Sequence, residues 1–568
     1  MSKQILSWNN IPITYNNILL QFEIPSIGFL NFYTEASTLT FDPAFVTTAG
    51  LLNWSLGDGS TVDASNNFSH TYSQLGNKYV QIFNGTTTGP LSIASLNMNT
   101  DNLVGTLDLG SLSNLGIGGL PLNLYSNPKL TKLILPISSQ PLNVLGINDC
   151  DITGTLDMTG LTGMGGQFNA QNNPHLTQIL NPSTNIDFSM YWAPICDLTG
   201  TLDMRPCSSL GGSFIVYSNH HLTQILNPKN SKIFSIYWAS DCSLNGTLDV
   251  SGLTGLGGNF DVNGNKNLTK ILNPVSSQIF TSWAAYNCSL NGTLDVSGLT
   301  QLGGDFQVNA NINLQHIIMP TSSRTFTSFY AYDCSLTGTL DVSGLTNLGG
   351  TFAAYNNKTL TNILFANTSK NITAFGVHNN GLTGTLDISG LKGLGGQITI
   401  YSNPALTQII TPNSSTNVTH FWAYNCNLTG NLDVSGLTNL GGAFEINNNI
   451  NVTSLTLPTT LTRQFVSFNA KNCSLNTTSI DAALAKLRTL YDASAPVANL
   501  IGNFDGTGNA WPTDGSSNAD LLAIYADFTA VGKLADISIN YPAVVAIPLM
   551  IFTTESSTLA FDPIFTVT

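Results

Sequence analysis

From residue 127 to residue 449 one position recurs every 23 residues and holds asparagine or cysteine: Asn127, Cys150, Asn173, Cys196, Asn219, Cys242, Asn265, Cys288, Asn311, Cys334, Asn357, Asn380, Asn403, Cys426 and Asn449. A short fixed period means that each unit packs on its neighbours, so the chain is an elongated solenoid before it is anything else. A second signal runs at twice that period. The tetrapeptide Gly-Thr-Leu-Asp, with Asn431 replacing threonine in the last copy, places Asp157, Asp203, Asp249, Asp295, Asp341, Asp387 and Asp433 46 residues apart, and Asp108 stands one slightly longer repeat earlier. A leading coil at Asp101 and a final coil at Cys473, which carries a one-residue slip, bring the expectation to about 17 strands and, at ~4.8 Å per strand, a stack of about 80 Å.

Two adjacent coils show what the period encodes. One reads Leu256-Gly-Gly-Asn-Phe260-Asp-Val262-Asn-Gly-Asn265-Lys-Asn-Leu268-Thr-Lys-Ile271, the other Phe280-Thr-Ser-Trp283-Ala-Ala285-Tyr-Asn-Cys288-Ser-Leu290-Asn-Gly-Thr-Leu294-Asp-Val296. Phe260 and Val262, like Trp283 and Ala285, alternate with more polar neighbours, the period of a half-buried strand. After the strand the asparagine or cysteine turns into the core, where an asparagine amide can pair with backbone groups left open by the turn. Both coils resemble the leucine-rich repeat pattern L-x-x-L-x-L-x-x-N/C-x-L. The resemblance implies a curved stack of parallel strands.

Composition narrows the function classes. The 568 residues carry only 18 Lys plus Arg and a net charge of -14; a phosphate-binding surface needs a basic stripe, so nucleic acid is not an expected partner. The longest apolar runs, such as Val544 to Phe552 with a proline inside, are too short to span a bilayer. The opening Met-Ser-Lys-Gln-Ile-Leu-Ser-Trp lacks the apolar stretch and small-residue cleavage site of a secretory signal. That fits release by another route, as for virion proteins, or a longer primary product.

Eight cysteines in an exported chain would ordinarily point to disulfides. The spacing argues otherwise: cysteines one full repeat apart lie two strands, about 9 to 10 Å, apart, beyond the roughly 7 Å that a bridge tolerates. Cys150, Cys196, Cys242, Cys288, Cys334, Cys426 and Cys473 therefore read as buried free thiols, and Asn380 in the same register supports a packing role. Cys207 stands outside the ladder, and its nearness to His220 and His221 reads as chance. The repeated aspartates invite a calcium reading, but each coil pair offers only one, so pairing with backbone or threonine at the turn is expected. The histidines, including His70 and His175, share no spacing with a nucleophile or ligand set. No cofactor, no metal and no enzymatic activity are expected. A glycosidase pair that converges only in space stays open.

Both flanks depart from the repeat. Leu52-Asn-Trp54-Ser-Leu-Gly57-Asp58-Gly59-Ser60, His70-Thr71-Tyr72 and Gly76-Asn-Lys-Tyr79-Val80-Gln-Ile82 read as a tight turn between alternating strands, and they resemble a PKD domain, with Leu56 replacing the family's usual aromatic. That implies a small immunoglobulin-like β-sandwich. After the solenoid, Ser479 to Tyr491 reads as a helix with Ser479 as N-cap and an acidic first turn. A strand at 499–504, a second helical run around 519–528 and a strand at 535–539 follow, which resembles the C-terminal cap of bacterial and phage leucine-rich repeat proteins. Finally, Phe552-Thr-Thr-Glu555-Ser-Ser557-Thr558-Leu559-Ala-Phe561-Asp562-Pro563-Ile-Phe565 repeats the pattern of Phe32 to Phe45. Such a strand could pair with its own N-terminal domain, with another subunit, or with a continuation; a short second sandwich from residue 541 is the plainer option. The expected architecture is mainly β: an arm at 1–17, the PKD-like sandwich at 18–85, a leucine-rich-repeat-like parallel solenoid at 86–476, an α/β cap at 477–540 and a β segment at 541–568.

Function is expected on the outward side of the strands, where alternate residues leave the core. Cysteine-type coils place Trp192, Trp238, Tyr330 and Trp422 in one file, and Tyr286, Tyr332, His378 and Tyr424 in the next; asparagine-type coils add Tyr217, Tyr355 and Tyr401. Aromatic faces beside amides suit sugar rings. They also suit protein recognition, and they suit a sheet merely covered by β-formers. The expectation is a structural recognition protein on a virion surface, a fibre, spike or decoration. It would bind a host glycan or protein receptor, and contact other virion proteins or a second copy through the terminal β-modules. A bacterial cell-surface adhesin or extracellular filament subunit is the alternative, and a polysaccharide-active enzyme the third.

Overall fold

The structure is a computed structural model that describes residues 19–20, 27–34, 40–84, 93–491, 503–506 and 536–539, with short breaks inside the longer ranges. It is a mainly β chain built on a parallel β-solenoid of about 15 turns. The main sheet runs from Ile93–Asn97 through one strand per coil to Phe465–Asn469. Because the period is constant, pairing is in register: Phe260 faces Trp283, and Trp283 faces Phe306. The inward residue five before each ladder position is thereby stacked on its equivalents. Phe168, Tyr191, Phe214, Tyr237, Phe260, Trp283, Phe306, Phe329, Phe352 and Phe375 form one unbroken column with centroids 4.9 to 5.6 Å apart. Each buries a large apolar area, and together they are the keel of the core.

The turn explains the asparagine. In every coil from Thr100 to Asn472 the residue before the ladder position is left-handed, at φ between 49° and 73°, and Asn, Asp, Ser and Gly fill most of these sites because they tolerate that region. The buried amide then satisfies the backbone groups around the bend. Asn265 Nδ2 donates to Val262 O and Ala239 O, both at 2.8 Å, and its Oδ1 accepts the Leu244 N–H at 3.0 Å. The same three bonds recur at Asn127, Asn173, Asn219, Asn311, Asn357, Asn403 and Asn449. A cysteine does less: the Cys288 thiol donates across the coil boundary to Val262 O at 3.4 Å and offers no amide oxygen to the preceding coil. All eight cysteines are free and buried. Burial pushes the Cys288 thiol up to about 12. At Asn380 the ladder asparagine of a cysteine-type coil finds a different donor, the Asn357 N–H at 2.7 Å.

Each asparagine coil therefore clasps the cysteine coil before it, and the second face of the solenoid follows that pairing. Strand Asn245–Asp249 of the Cys242 coil pairs with Asn267–Leu272 of the Asn265 coil, and such two-stranded sheets repeat along the rod. Each face has its own kind of glycine, Gly246 in the second face and Gly304 in the main sheet. Gly246, at φ +65 with nothing near a prospective Cβ, is needed for its conformation; Gly304, at φ +63, would put a Cβ 1.9 Å from Thr281 O and is needed for space as well. The tetrapeptide aspartates close the next turn. Asp249 Oδ1 accepts the Ser251 N–H at 2.9 Å and the Ser251 hydroxyl at 2.6 Å, and Asp157, Asp295 and Asp341 repeat the arrangement. These carboxylates serve an Asx turn.

At the N-terminal side, Ile27–Thr34, Gly76–Asn84, Leu52–Ser55 and Thr61–Val62 form a four-stranded antiparallel sheet. The motif residues meet there. Trp54, 1% exposed, donates from Nε1 to Ser65 O at 2.7 Å, Tyr72 OH donates to Leu56 O at 2.8 Å, and the His70 ring meets Asp58 at 2.8 Å. Partial burial alone would raise the Asp58 carboxyl, but the Ser60 N–H and His70 outweigh it and hold it below the usual range. Strand Ala44–Thr47 lies antiparallel on Ile93–Asn97 and covers the first edge of the main sheet, while Leu19–Leu20 joins the second face beside Val104–Asp108.

The C-terminal helix spans Thr477–Tyr491. Ser479 is not its N-cap, and no acidic residue occupies its first turn. Asn476 Oδ1 accepts the Ser479 N–H at 2.9 Å, whereas the Ser479 hydroxyl turns inward to accept the Leu455 N–H at 3.1 Å. The cap has moved because Asn451–Thr456, the last described strand of the second face, needs that hydroxyl. Strands Asn503–Gly506 and Asp536–Ile539 then extend the main sheet in parallel. The expected arm at 1–17, the helical run around 519–528 and the segment 541–568 lie outside the described residues.

Candidate recognition surface

Strand alternation brings two files to the outer side of the main sheet, four and two residues before each ladder position. The inner-column rings at the fifth position anchor each strand from below, so the outward side chains are held on a stiff base. The file at the second position includes both coil types and, over five consecutive coils, it is uninterrupted: Tyr332, Tyr355, His378, Tyr401 and Tyr424. Their rings stack at 4.5, 4.4, 4.5 and 4.5 Å with interplanar angles of 9, 12, 18 and 4°. All five are half-buried. Their spacing is the strand spacing of the sheet itself.

This geometry decides which part of each ring the strip offers. Four stacks cover both faces of Tyr355, His378 and Tyr401 and one face each of Tyr332 and Tyr424, so along its length the strip presents ring edges and phenol hydroxyls to a partner rather than open faces on which a sugar ring would lie. Small residues beside the strip let the rings settle: Ala353 is 6% exposed, and a Cβ on Gly376 would meet Tyr355 Cδ1 at 3.5 Å. Burial pushes the Tyr355 phenol up to about 12, with Tyr332 and Asp333 adding to the rise, and it raises Tyr332 and Tyr424 as well. His378 is lowered by burial between two phenols, so the neutral imidazole is favoured. Its Nδ1 meets the Thr399 hydroxyl at 3.1 Å.

The other candidates are not gathered in this way. Tyr330 meets Tyr332 edge-on at 6.0 Å, and Tyr217 meets Trp238 at 6.2 Å. Trp192 and Trp238 are two coils apart, separated by the buried Ile215, and Tyr286 is separated from Tyr332 by the Asn309 coil. The indole N–H groups of Trp192, Trp238 and Trp422 are tucked inward without an acceptor among the described residues.

The sequence reading missed one periodic feature. His175 and His221 are 46 residues apart, and each reaches the aspartate 24 residues before it, Asp151 at 2.5 Å and Asp197 at 2.6 Å. The doubled period was the available signal. Both pairs are exposed, where such contacts contribute little. Among the described residues no group of three or more His, Cys, Asp or Glu side chains is placed to hold a metal ion. Nor is any described helix long and apolar enough to cross a membrane. No protein-family model matches the chain, and no curated protein matches it.

Proposed function

We propose that the chain is a non-enzymatic recognition protein of the leucine-rich-repeat type, displayed on a virion surface, whose solenoid presents the strip Tyr332 to Tyr424 to a host glycan or protein receptor. The observation that carries this reading is the uninterrupted stack of five aromatic rungs, half-buried on a sheet whose own core is a second aromatic column. Such a surface is pre-ordered, so little side-chain entropy is lost when a partner docks. Tyrosine edges bring both apolar area and a hydroxyl, the combination that dominates recognition surfaces. The N-terminal sheet, with its Asp58–His70 and Tyr72–Leu56 contacts, fits a PKD-like attachment module. The helix and the two following strands fit a C-terminal α/β cap. A bacterial cell-surface adhesin is the alternative setting for the same surface.

The test is adsorption of the purified chain to candidate host cells and to a glycan array. Tyr355→Ala with Tyr401→Ala opens the strip at two rungs without touching the core column, and binding is expected to fall at least tenfold. Unchanged binding would remove the strip from the mechanism. Proteomics of purified virions separates the two settings, since a cell-surface adhesin would be absent from them.

A further inference from the structure

In the row of left-handed residues beside the aromatic files the aspartates share a hydrogen-bonding rule, and one of the three breaks it. Where an aspartate stands in this row, the asparagine of the next coil donates its side-chain amide to it: Asn172 Nδ2 to Asp149 Oδ1 at 2.8 Å, and Asn356 Nδ2 to Asp333 Oδ1 at 2.7 Å. Asparagine pairs continue the rule at Asn379 on Asn356 and at Asn448 on Asn425, at 3.1 and 2.7 Å. Asp241 is the exception. The next coil places Gly264 in the row, the one glycine among these left-handed sites. No described residue donates to the Asp241 carboxylate, and Asp241 Oδ1 lies 2.2 Å from where a Gly264 Cβ would be. The Asp241 carboxylate leans over Gly264 and forms one wall of an open surface depression of about 410 Å³, lined also by Ser218, His220, Ser243 and Lys266, with His220, Asp241 and Lys266 exposed.

The groups around it are charged and polar. A chain with 18 Lys plus Arg and 7 His in 568 residues brings one of each to a single hollow, on either side of a carboxylate whose usual donor is gone. Gly264 N–H donates to Tyr286 O at 3.1 Å, which places the hollow beside the aromatic files.

We infer that the hollow at Gly264 is a carbohydrate subsite that takes one pyranose ring through a vicinal diol. The two hydroxyls donate to the two oxygens of Asp241, replacing the absent asparagine amide. Lys266 and His220 donate to the acceptor oxygens at the rim, the Ser218 hydroxyl adds to the polar lining, and the Ser243 hydroxyl, which donates to His220 O, can accept a bond there. The inference rests on the glycan half of the recognition reading, but on residues separate from the strip.

The experiment is saturation-transfer NMR on the full chain with methyl mannoside, galactoside and glucoside, followed by titration of whichever binds. Gly264→Asn supplies the side chain that follows Asp149 and Asp333 at this left-handed position; its Cβ displaces the Asp241 carboxylate, which then accepts from the new amide as those two aspartates do, so the variant occupies the hollow. We expect at least a tenfold loss of affinity from Gly264→Asn and a similar loss from Asp241→Asn, with the circular dichroism of both unchanged. If Gly264→Asn perturbs the fold, Asp241→Asn decides alone. Binding that survives both variants, or no pyranoside binding by the wild-type chain, overturns the inference. Loss in Tyr355→Ala with Tyr401→Ala but not in Gly264→Asn would keep the strip and reject the hollow; the reverse would keep the hollow and reject the strip.

Discussion

Three successive coil pairs match a polar ring in the core column with an asparagine ten residues earlier: Asn181 with Tyr191, Asn227 with Tyr237, and Asn273 with Trp283. In the next pairs the ring is phenylalanine and the partner is apolar or threonine, as in Met319 with Phe329, Phe365 with Phe375 and Thr411 with Phe421. Only the middle pair closes its bond: Tyr237 OH donates to Asn227 Oδ1 at 3.2 Å. Tyr191 sits near Asn181 but outside hydrogen-bonding geometry, so the Tyr191 hydroxyl and Asn181 Oδ1 are both buried without a partner. Tyr→Phe keeps the ring and its stacking, which isolates the hydroxyl. At 237 the change removes a bond worth about 1 kcal/mol and strands a half-buried oxygen, for a loss of about 1 to 2 kcal/mol. At 191 it removes an unsatisfied hydroxyl and should be neutral or stabilising by up to about 1 kcal/mol. Urea denaturation of the two single variants reads the difference in midpoint at constant slope. Adding Asn227→Met to Tyr237→Phe, the combination the chain itself uses at 319 and 329, should recover about 1 kcal/mol of the loss. Equal destabilisation by Tyr191→Phe and Tyr237→Phe would refute the reasoning, because burial of the ring alone would then account for both.

Other expectations follow from the same geometry. Gly246→Ala should cost about 1 to 2 kcal/mol for the left-handed conformation alone, whereas Gly304→Ala, which also drives a Cβ against Thr281 O, should cost clearly more; denaturation midpoints rank them. His378 has a folded-state pKa below its ordinary value, so above about pH 6.5 both states are neutral and nothing is lost. As pH falls the unfolded chain takes the proton first, and stability declines until the folded pKa is passed. Phenylalanine at 378 should flatten that part of the pH–stability curve, and an unchanged slope would assign it elsewhere. The thiols of Cys150, Cys196, Cys207, Cys242, Cys288 and Cys334 are pushed up to about 12 by burial. A thiol reagent at pH 8 should therefore label them only after unfolding, and rapid labelling of the folded chain would contradict their placement.

The period made the strands, their register, the free cysteines and the two outward files readable before any coordinates, because a solenoid converts sequence spacing directly into position. What it concealed came from contacts that jump between coils. Tyr332, Tyr355, His378, Tyr401 and Tyr424 are 23 residues apart, but sorting them by coil type hid that they are consecutive. The faces between them are closed by the strand spacing, which no single coil contains. The helix cap moved from Ser479 to Asn476 because Leu455, a coil away, claims the serine hydroxyl. The hollow at Gly264 is visible only as a departure from a bonding rule between neighbours, and that rule exists only in three dimensions.

The asparagine clasp also sets how such a rod can change its reach. The buried N–H two residues after each cysteine turn from Cys150 to Cys426, that of Leu244 for example, is answered by an asparagine oxygen from the coil that follows. Losing an asparagine coil would set two cysteine-type turns side by side and leave that N–H buried with no oxygen to meet it, and losing a cysteine coil would leave one asparagine oxygen without the N–H it accepts. Losing two restores the match. Length is thus quantised in coil pairs, so related rods assembled from these parts should differ by whole multiples of 46 residues, and a variant shortened by 23 should fray at the junction.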